Sequence, residues 1–151
     1  MSYESIALNQ ELIVDKLYSM HYFEYMNDFV FAGEAHDFWE FLCVDKGEVF
    51  VTADDREYQL KKGDIIFHKP NEFHSVRCNG KSAPNLVVIS FDCISPAMHF
   101  FEEKQLIVNE AEQKLLGKII QESCHTFEGR LDNPYQTKLI ISSSAPFGGE
   151  H

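Results

Sequence analysis

From residue 16 to residue 93 the apolar positions fall in short runs separated by turn-forming residues. "KLYSMHYFEYM" (16–26) is rich in aromatics, carries no helical breaker or cap, and reads as a strand. Residues 38–44 read as a second. Asp45-Lys46-Gly47 predicts a tight connection in which Gly47 takes a positive φ, with Glu48 to Ala53 returning as the hairpin partner. After a turn at Asp54-Asp55 come "REYQL" (56–60), "IIFHK" (65–69), "HSVRC" (74–78) and "LVVISFDC" (86–93). The segments between them, "KKGD", "PNEF" and "NGKSAPN", are turn or loop chemistry. Short strands with turn signals every eight to twelve residues or so predict an all-β sandwich or barrel.

The period then changes. In "NEAEQKLLGKIIQESCHTFEG", Leu115, Leu116, Ile119, Ile120 and Phe127 recur at helical spacing. Asn109 followed by Glu112 predicts a capping box in its Asn form, and Gly129 is a candidate C′ residue, so a helix is expected from Asn109 to Glu128. "ISSSAPFGGEH" reads as linker. Two units follow: a β-barrel over 1–104, and an amphipathic helix with linker over 105–151.

Composition narrows the function classes. The 151 residues are 44% hydrophobic, with 13 Phe and 6 Tyr, enough for one packed β-rich core. Acids outnumber Lys and Arg 24 to 13, a formal charge of −11, so the chain lacks the cationic footprint for gripping nucleic acid or an anionic membrane. The cysteines at 43, 78, 93 and 124 form no CxxC pair, and Cys43 and Cys93 sit in apolar runs as small core residues. The N-terminus has no basic region followed by an apolar one, and no run is long enough to span a bilayer. A cytoplasmic protein with reduced thiols is expected.

The candidate chemistry lies at Glu34, His36 and Glu40, separated by even numbers and therefore on one face if a single extended segment carries them. Converging imidazole and carboxylate groups bind a divalent metal or a polar ligand. His74 opens a later strand after the Pro70 bend and is assigned to the same pocket with Glu72, whereas His68, beside Phe67, reads as structural. Trp39, the only tryptophan, is either a platform for a sugar face in that pocket or a core residue on the opposite face. No G-x-S-x-G, Walker or dinucleotide fingerprint is present.

These residues carry a resemblance. Glu34-x-His36-x3-Glu40-x6-Gly47 is similar to the first cupin motif, with Glu34 where its first histidine stands. Gly63-Asp64-x5-Pro70-x3-His74 is similar to the second, with Glu72 in place of a glycine and the Pro-to-His spacing one residue short. With "HDFWEFLCVDKGEV", "LKKGDIIFHKPNEFHSV", "NLVVISFDC" and "APFGGE", the chain from about Leu17 to Glu150 resembles the N-terminal sensory cupin of AraC-type transcription regulators.

The resemblance implies a mainly β, cupin-type (double-stranded β-helix or jelly-roll) barrel followed by a C-terminal helical segment. It implies sensing of a small-molecule effector, such as a sugar, with DNA read only by a helix-turn-helix region absent from these residues, and no membrane partner. The pocket would comprise Glu34, His36, Trp39, Glu40, Glu72 and His74. Glu34, His36, Glu40 and His74 are the candidate ligands for a divalent Zn, Ni, Mn or Fe ion. Leu115, Leu116, Ile119, Ile120 and Phe127 would line a homodimer interface that Leu116→Glu or Ile120→Glu breaks. The competing classes are a small metal-dependent cupin enzyme (isomerase or dioxygenase) and a stand-alone binding module.

Overall fold

The computed structural model describes all residues 1–151. The strands are β1 (Lys16–Glu24), β2 (Val30–Glu34), β3 (Trp39–Lys46), β4 (Glu48–Ala53), β5 (Arg56–Lys61), β6 (Asp64–His68), β7 (His74–Cys78), β8 (Asn85–Asp92) and β9 (Gln105–Ile107). A 3-10 turn over Pro96–Phe101 precedes β9, and helix α1 (Glu110–Thr126) follows it. The strands form two antiparallel sheets, one of five strands in the order β1-β8-β3-β6-β9 and one of four in the order β2-β7-β4-β5. This is the expected mainly β, cupin-type barrel with a helix after it.

The alternation within β3 explains how the layers form. Leu42 and Val44 face the space between the sheets, where Val49, Val51, Leu60, Val76 and Leu86 complete an inner core. Trp39 and Cys43 face the other way, into an outer core with Met20, Val87, Ile89 and Phe91. β8 serves both cores, Leu86 and Val88 inward and Val87 and Ile89 outward. A strand covered on both faces reads as an unbroken apolar run, as "LVVIS" does. Helix α1 covers the outer face through Leu116 and Ile120, joined by Met98, Phe127, Leu131 and Leu139.

The expected β3–β4 hairpin is not formed. β3 pairs with β6 and β8, and β4 pairs with β5 and β7, so Asp45-Lys46-Gly47 carries the chain from one sheet to the other. Gly47 does take a positive φ, 78°, and a Cβ there would come within 3.1 Å of the Pro84 Cα, yet local turn chemistry does not choose which strand becomes the neighbour. The tight hairpin lies one turn later: Asp54, at φ 51°, joins β4 to β5, with Ala53 opposite Arg56.

At α1 the capping box forms: Asn109 Oδ1 accepts from Glu112 N at 2.9 Å, and Glu112 Oε2 accepts from Asn109 N at 3.1 Å. The C-terminus differs from expectation. The helix ends at Thr126, Phe127 is an extended C-cap that bridges Ile141, and Gly129 lies in the turn beyond. The tail therefore folds back: Glu128 N donates to Ile140 O and Ser142 N to Thr126 O. The Leu131 carbonyl accepts from Tyr22 N at 3.1 Å and lies 3.1 Å from His21 Nδ1, capping the free edge of β1. The five-stranded sheet also continues past residue 104 into β9, which pairs with β6. Cys43, Cys78 and Cys93 are buried thiols and Cys124 is exposed. No helix is long and apolar enough to cross a membrane.

Candidate functional site

At one end of the barrel the chain brings four polar side chains together. Glu34 closes β2, His36 lies in the connection to β3, Glu40 is the second residue of β3, and His74 opens β7. One donor atom from each lies within 4.8 Å of all the others. Even spacing on one extended segment does not achieve this, because β2 ends at Glu34 and the chain turns before β3. A bulge does it instead. The β2–β7 register shifts between Phe31 and Glu34, which restores Glu34 opposite His74, and Gly33 absorbs the irregularity at φ 115°.

Gly33 also admits the Phe73 ring. A Cβ there would run into that ring and approach the His74 carbonyl oxygen to 2.9 Å. Gly33→Ala is therefore expected to destabilise the domain by about 1–3 kcal/mol through backbone strain and to displace Glu34 from the cluster. Urea denaturation checks the first effect and a metal titration the second.

Both histidines are oriented by backbone carbonyls. His36 Nδ1 lies 3.0 Å from Phe38 O, its ring stacked on Phe38 at 3.9 Å, and His74 Nδ1 lies 3.0 Å from Glu72 O. A carbonyl only accepts, so each Nδ1 carries a proton, and in the neutral tautomer Nε2 turns its lone pair toward the cluster. There His74 Nε2 lies 3.0 Å from Glu40 Oε2 and His36 Nε2 3.6 Å from Glu40 Oε1. Glu34 Oε1 is 3.8 Å from each Nε2. Neither ring nitrogen, though buried, makes an aligned hydrogen bond.

The electrostatics centre on Glu40. Burial by itself would raise its carboxyl pKa, but the imidazoles of His36 and His74 outweigh it and hold the group well below the usual carboxylate range. Ser90 Oγ donates to Glu40 Oε1 at 2.9 Å. For His74, burial lowers the pKa and the facing carboxylates, Glu40 first, raise it further, so the net shift is upward. Glu34 is half exposed and forms the open side of the cluster.

The remaining candidates separate. Glu72 is buried but turns its carboxylate to His68, 2.9 Å from Nδ1, while its carbonyl fixes His74. It orients two histidines rather than joining the four. Trp39 is not in the pocket: it is 5% exposed in the outer core, because one-residue alternation from Glu40 sends it to the other face of β3. His68, read as structural, belongs beside the site. It is 1% exposed, stacks on His74 at 4.3 Å, and its Nε2 is a third buried nitrogen without a partner. Burial lowers its pKa, so it is neutral at pH 7. Its two-residue offset from the inward-facing Ile66 is the sequence signal that places it inside.

The family model of the AraC-like ligand binding domain matches residues 17–92, half of the chain and all of these site residues. The chain belongs to that family. Among solved structures this AraC-like ligand-binding domain is similar to the Schizosaccharomyces pombe Cnp3 cupin domain, at 16% identity and TM-score 0.48, over 58% of this chain and 65% of that one. It is similar to a cupin superfamily protein of Desulfitobacterium hafniense (17%, TM-score 0.47, 61% and 83%). It is also similar to unsaturated fatty acid-bound ToxT from Vibrio cholerae (10%, TM-score 0.48, 72% and 47%). The chain thus spans under two thirds of the Cnp3 domain and under half of ToxT, and at these scores the likenesses carry no functional argument. No curated protein sequence matches.

Proposed function

We propose that this domain is the effector-sensing and homodimerising module of an AraC-type transcription regulator, receiving a small polar effector at the Glu34, His36, Glu40 and His74 cluster. One observation carries the reading: four N and O donors within 4.8 Å of one another, with the buried ring nitrogens of His36 and His74 unpartnered. A buried nitrogen without a partner is costly, so the arrangement suits occupancy by something that accepts its lone pair. The donor set fits a divalent cation of the Zn, Ni, Mn or Fe type, and the carbonyls that orient both histidines are the usual outer partners of ligating imidazoles. Bound there, the ion would supply positive charge to hold an effector oxygen, such as a sugar hydroxyl or a carboxylate. With a net charge of −11, DNA would be read by a region outside these residues, whose arrangement the effector biases.

Isothermal titration of chelator-treated protein with each of the four metals, followed by polar small molecules with and without metal, tests this. One equivalent of metal and metal-dependent effector binding are expected. Absence of both would overturn the reading. The same donor set would also serve a metal-dependent cupin enzyme, and turnover of a bound molecule, instead of its recovery unchanged, would favour that class.

For dimerisation, the helical stripe divides into two faces. Leu116, Ile120 and Phe127 pack on the barrel, whereas Leu115 and Ile119, one turn apart, are 58% and 44% exposed. The dimer-breaking change therefore belongs at Leu115 and Ile119, and a charge at Leu116 or Ile120 would instead disrupt the outer core. Sedimentation equilibrium is expected to find a wild-type dimer and a monomeric Leu115→Glu/Ile119→Glu variant with an unchanged circular dichroism spectrum. A strictly monomeric wild type at high concentration would refute this arrangement.

A further inference from the structure

We propose that the end of the barrel opposite the histidine–glutamate cluster is a second binding site, for a small polyanion of the diphosphate type. The Gly47 corner, the β5–β6 turn and the β7–β8 loop meet there around a wide, shallow cleft open to solvent. Lys61, Lys62 and Lys81 line it with Asn79, Ser82 and Glu48, and no apolar side chain does. β3 runs from one site to the other, so the two are roughly 20 Å apart at the usual strand rise.

The lysines are the unusual feature. In a chain with 24 acids, Lys61, Lys62 and Lys81 make no ion pair; Lys46, Lys104, Lys118 and Lys138 are unpaired as well, and what distinguishes the three is that they line one cleft. Three like charges around one cleft repel one another, and an anion between them relieves that repulsion. The backbone that carries them is pinned. Asn79 Oδ1 accepts from Lys81 N at 2.8 Å and Ser82 N at 2.9 Å, and buried Asp64 accepts from Lys61 N at 2.9 Å and Gln105 Nε2 at 3.0 Å. The single carboxylate in the cleft, Glu48, is engaged by Asn79 Nδ2 at 3.4 Å, and Ser82 Oγ accepts from Glu48 N at 3.1 Å. Ammonium groups on flexible stems are point-charge donors suited to phosphate oxygens. A protein segment would need an apolar centre to its contact surface, which this cleft lacks, so a small polyanion is the better match.

The test is calorimetric titration of chelator-treated protein with sodium pyrophosphate at low ionic strength, alongside orthophosphate and an oligoglutamate peptide. Saturable one-to-one pyrophosphate binding, tighter than orthophosphate and weakened by added salt, is expected. Lys62→Gln/Lys81→Gln should weaken it about tenfold, whereas Lys118→Gln/Lys138→Gln, the same charge change on exposed residues elsewhere, should leave it unchanged. No saturable binding, equal loss in both double variants, or preference for the oligoglutamate peptide would each overturn the proposal. All four lysines are exposed, so the variants should keep the wild-type circular dichroism spectrum.

Discussion

His74→Ala is expected to cost the metal-free domain about 3 kcal/mol at pH 6 and to weaken divalent metal binding by at least about 100-fold. The first figure follows from burial: the side chains of His74 and Glu40 are 3% and 11% exposed and 3.0 Å apart. Removing one member of such a pair strands the other charge away from water, which is where the large cost of broken buried pairs arises. The second exceeds the 10- to 100-fold typical of losing an outer partner, because His74 supplies a lone pair directly.

The pH dependence of the first effect has a definite sign. Glu40's depressed pKa contributes stability that is present above its ordinary value of 4.5 and is lost as pH falls toward the folded value. His74's raised pKa contributes stability that is full below 6.5 and is lost as pH rises through the folded value. The gap between wild type and variant is therefore widest between about pH 4.5 and 6.5 and narrows on both sides. Denaturant midpoints of both proteins across that range check it. A double variant with Glu40→Gln should recover part of the loss, and additive losses would mean the two groups do not interact. A wild type that binds no metal would remove the cation without touching the stability prediction.

Trp39→Ala is expected to destabilise the domain by about 3–5 kcal/mol, the range for deleting a buried indole. It should leave metal affinity within about twofold of wild type under conditions where the variant is folded. The indole is 5% exposed in the outer core with Phe91 and Met98, so its loss opens a cavity in that core rather than in the pocket. Thermal denaturation measures the first effect and metal titration the second. The opposite pattern, weak destabilisation with lost effector binding, would return Trp39 to the pocket.

Local chemistry determined much of this protein from the sequence alone. β7 occupies the predicted 74–78 because alternating apolar residues sit between a proline bend and an asparagine-glycine turn. The start of α1 is equally legible, since a capping box is a contact between residues three apart. The two motifs likewise contain all four residues that converge at the barrel end.

Long-range pairing decided the rest. β2 passes unnoticed in the sequence, because "VFAGE" has little strand character and is held by β7 and by a glycine whose purpose is visible only against Phe73. The sheet switch at Gly47 and the return of the tail onto β1 join residues far apart in sequence. His68, read as structural, lies beside the site, and Trp39, offered as a pocket or a core residue, lies in the outer core. Each lies one residue from a side chain of known face, and in a strand one residue is the difference between the pocket and the helix-covered side. Periodicity determined that two faces exist; which face received the helix was settled only when β3 took its place between β6 and β8.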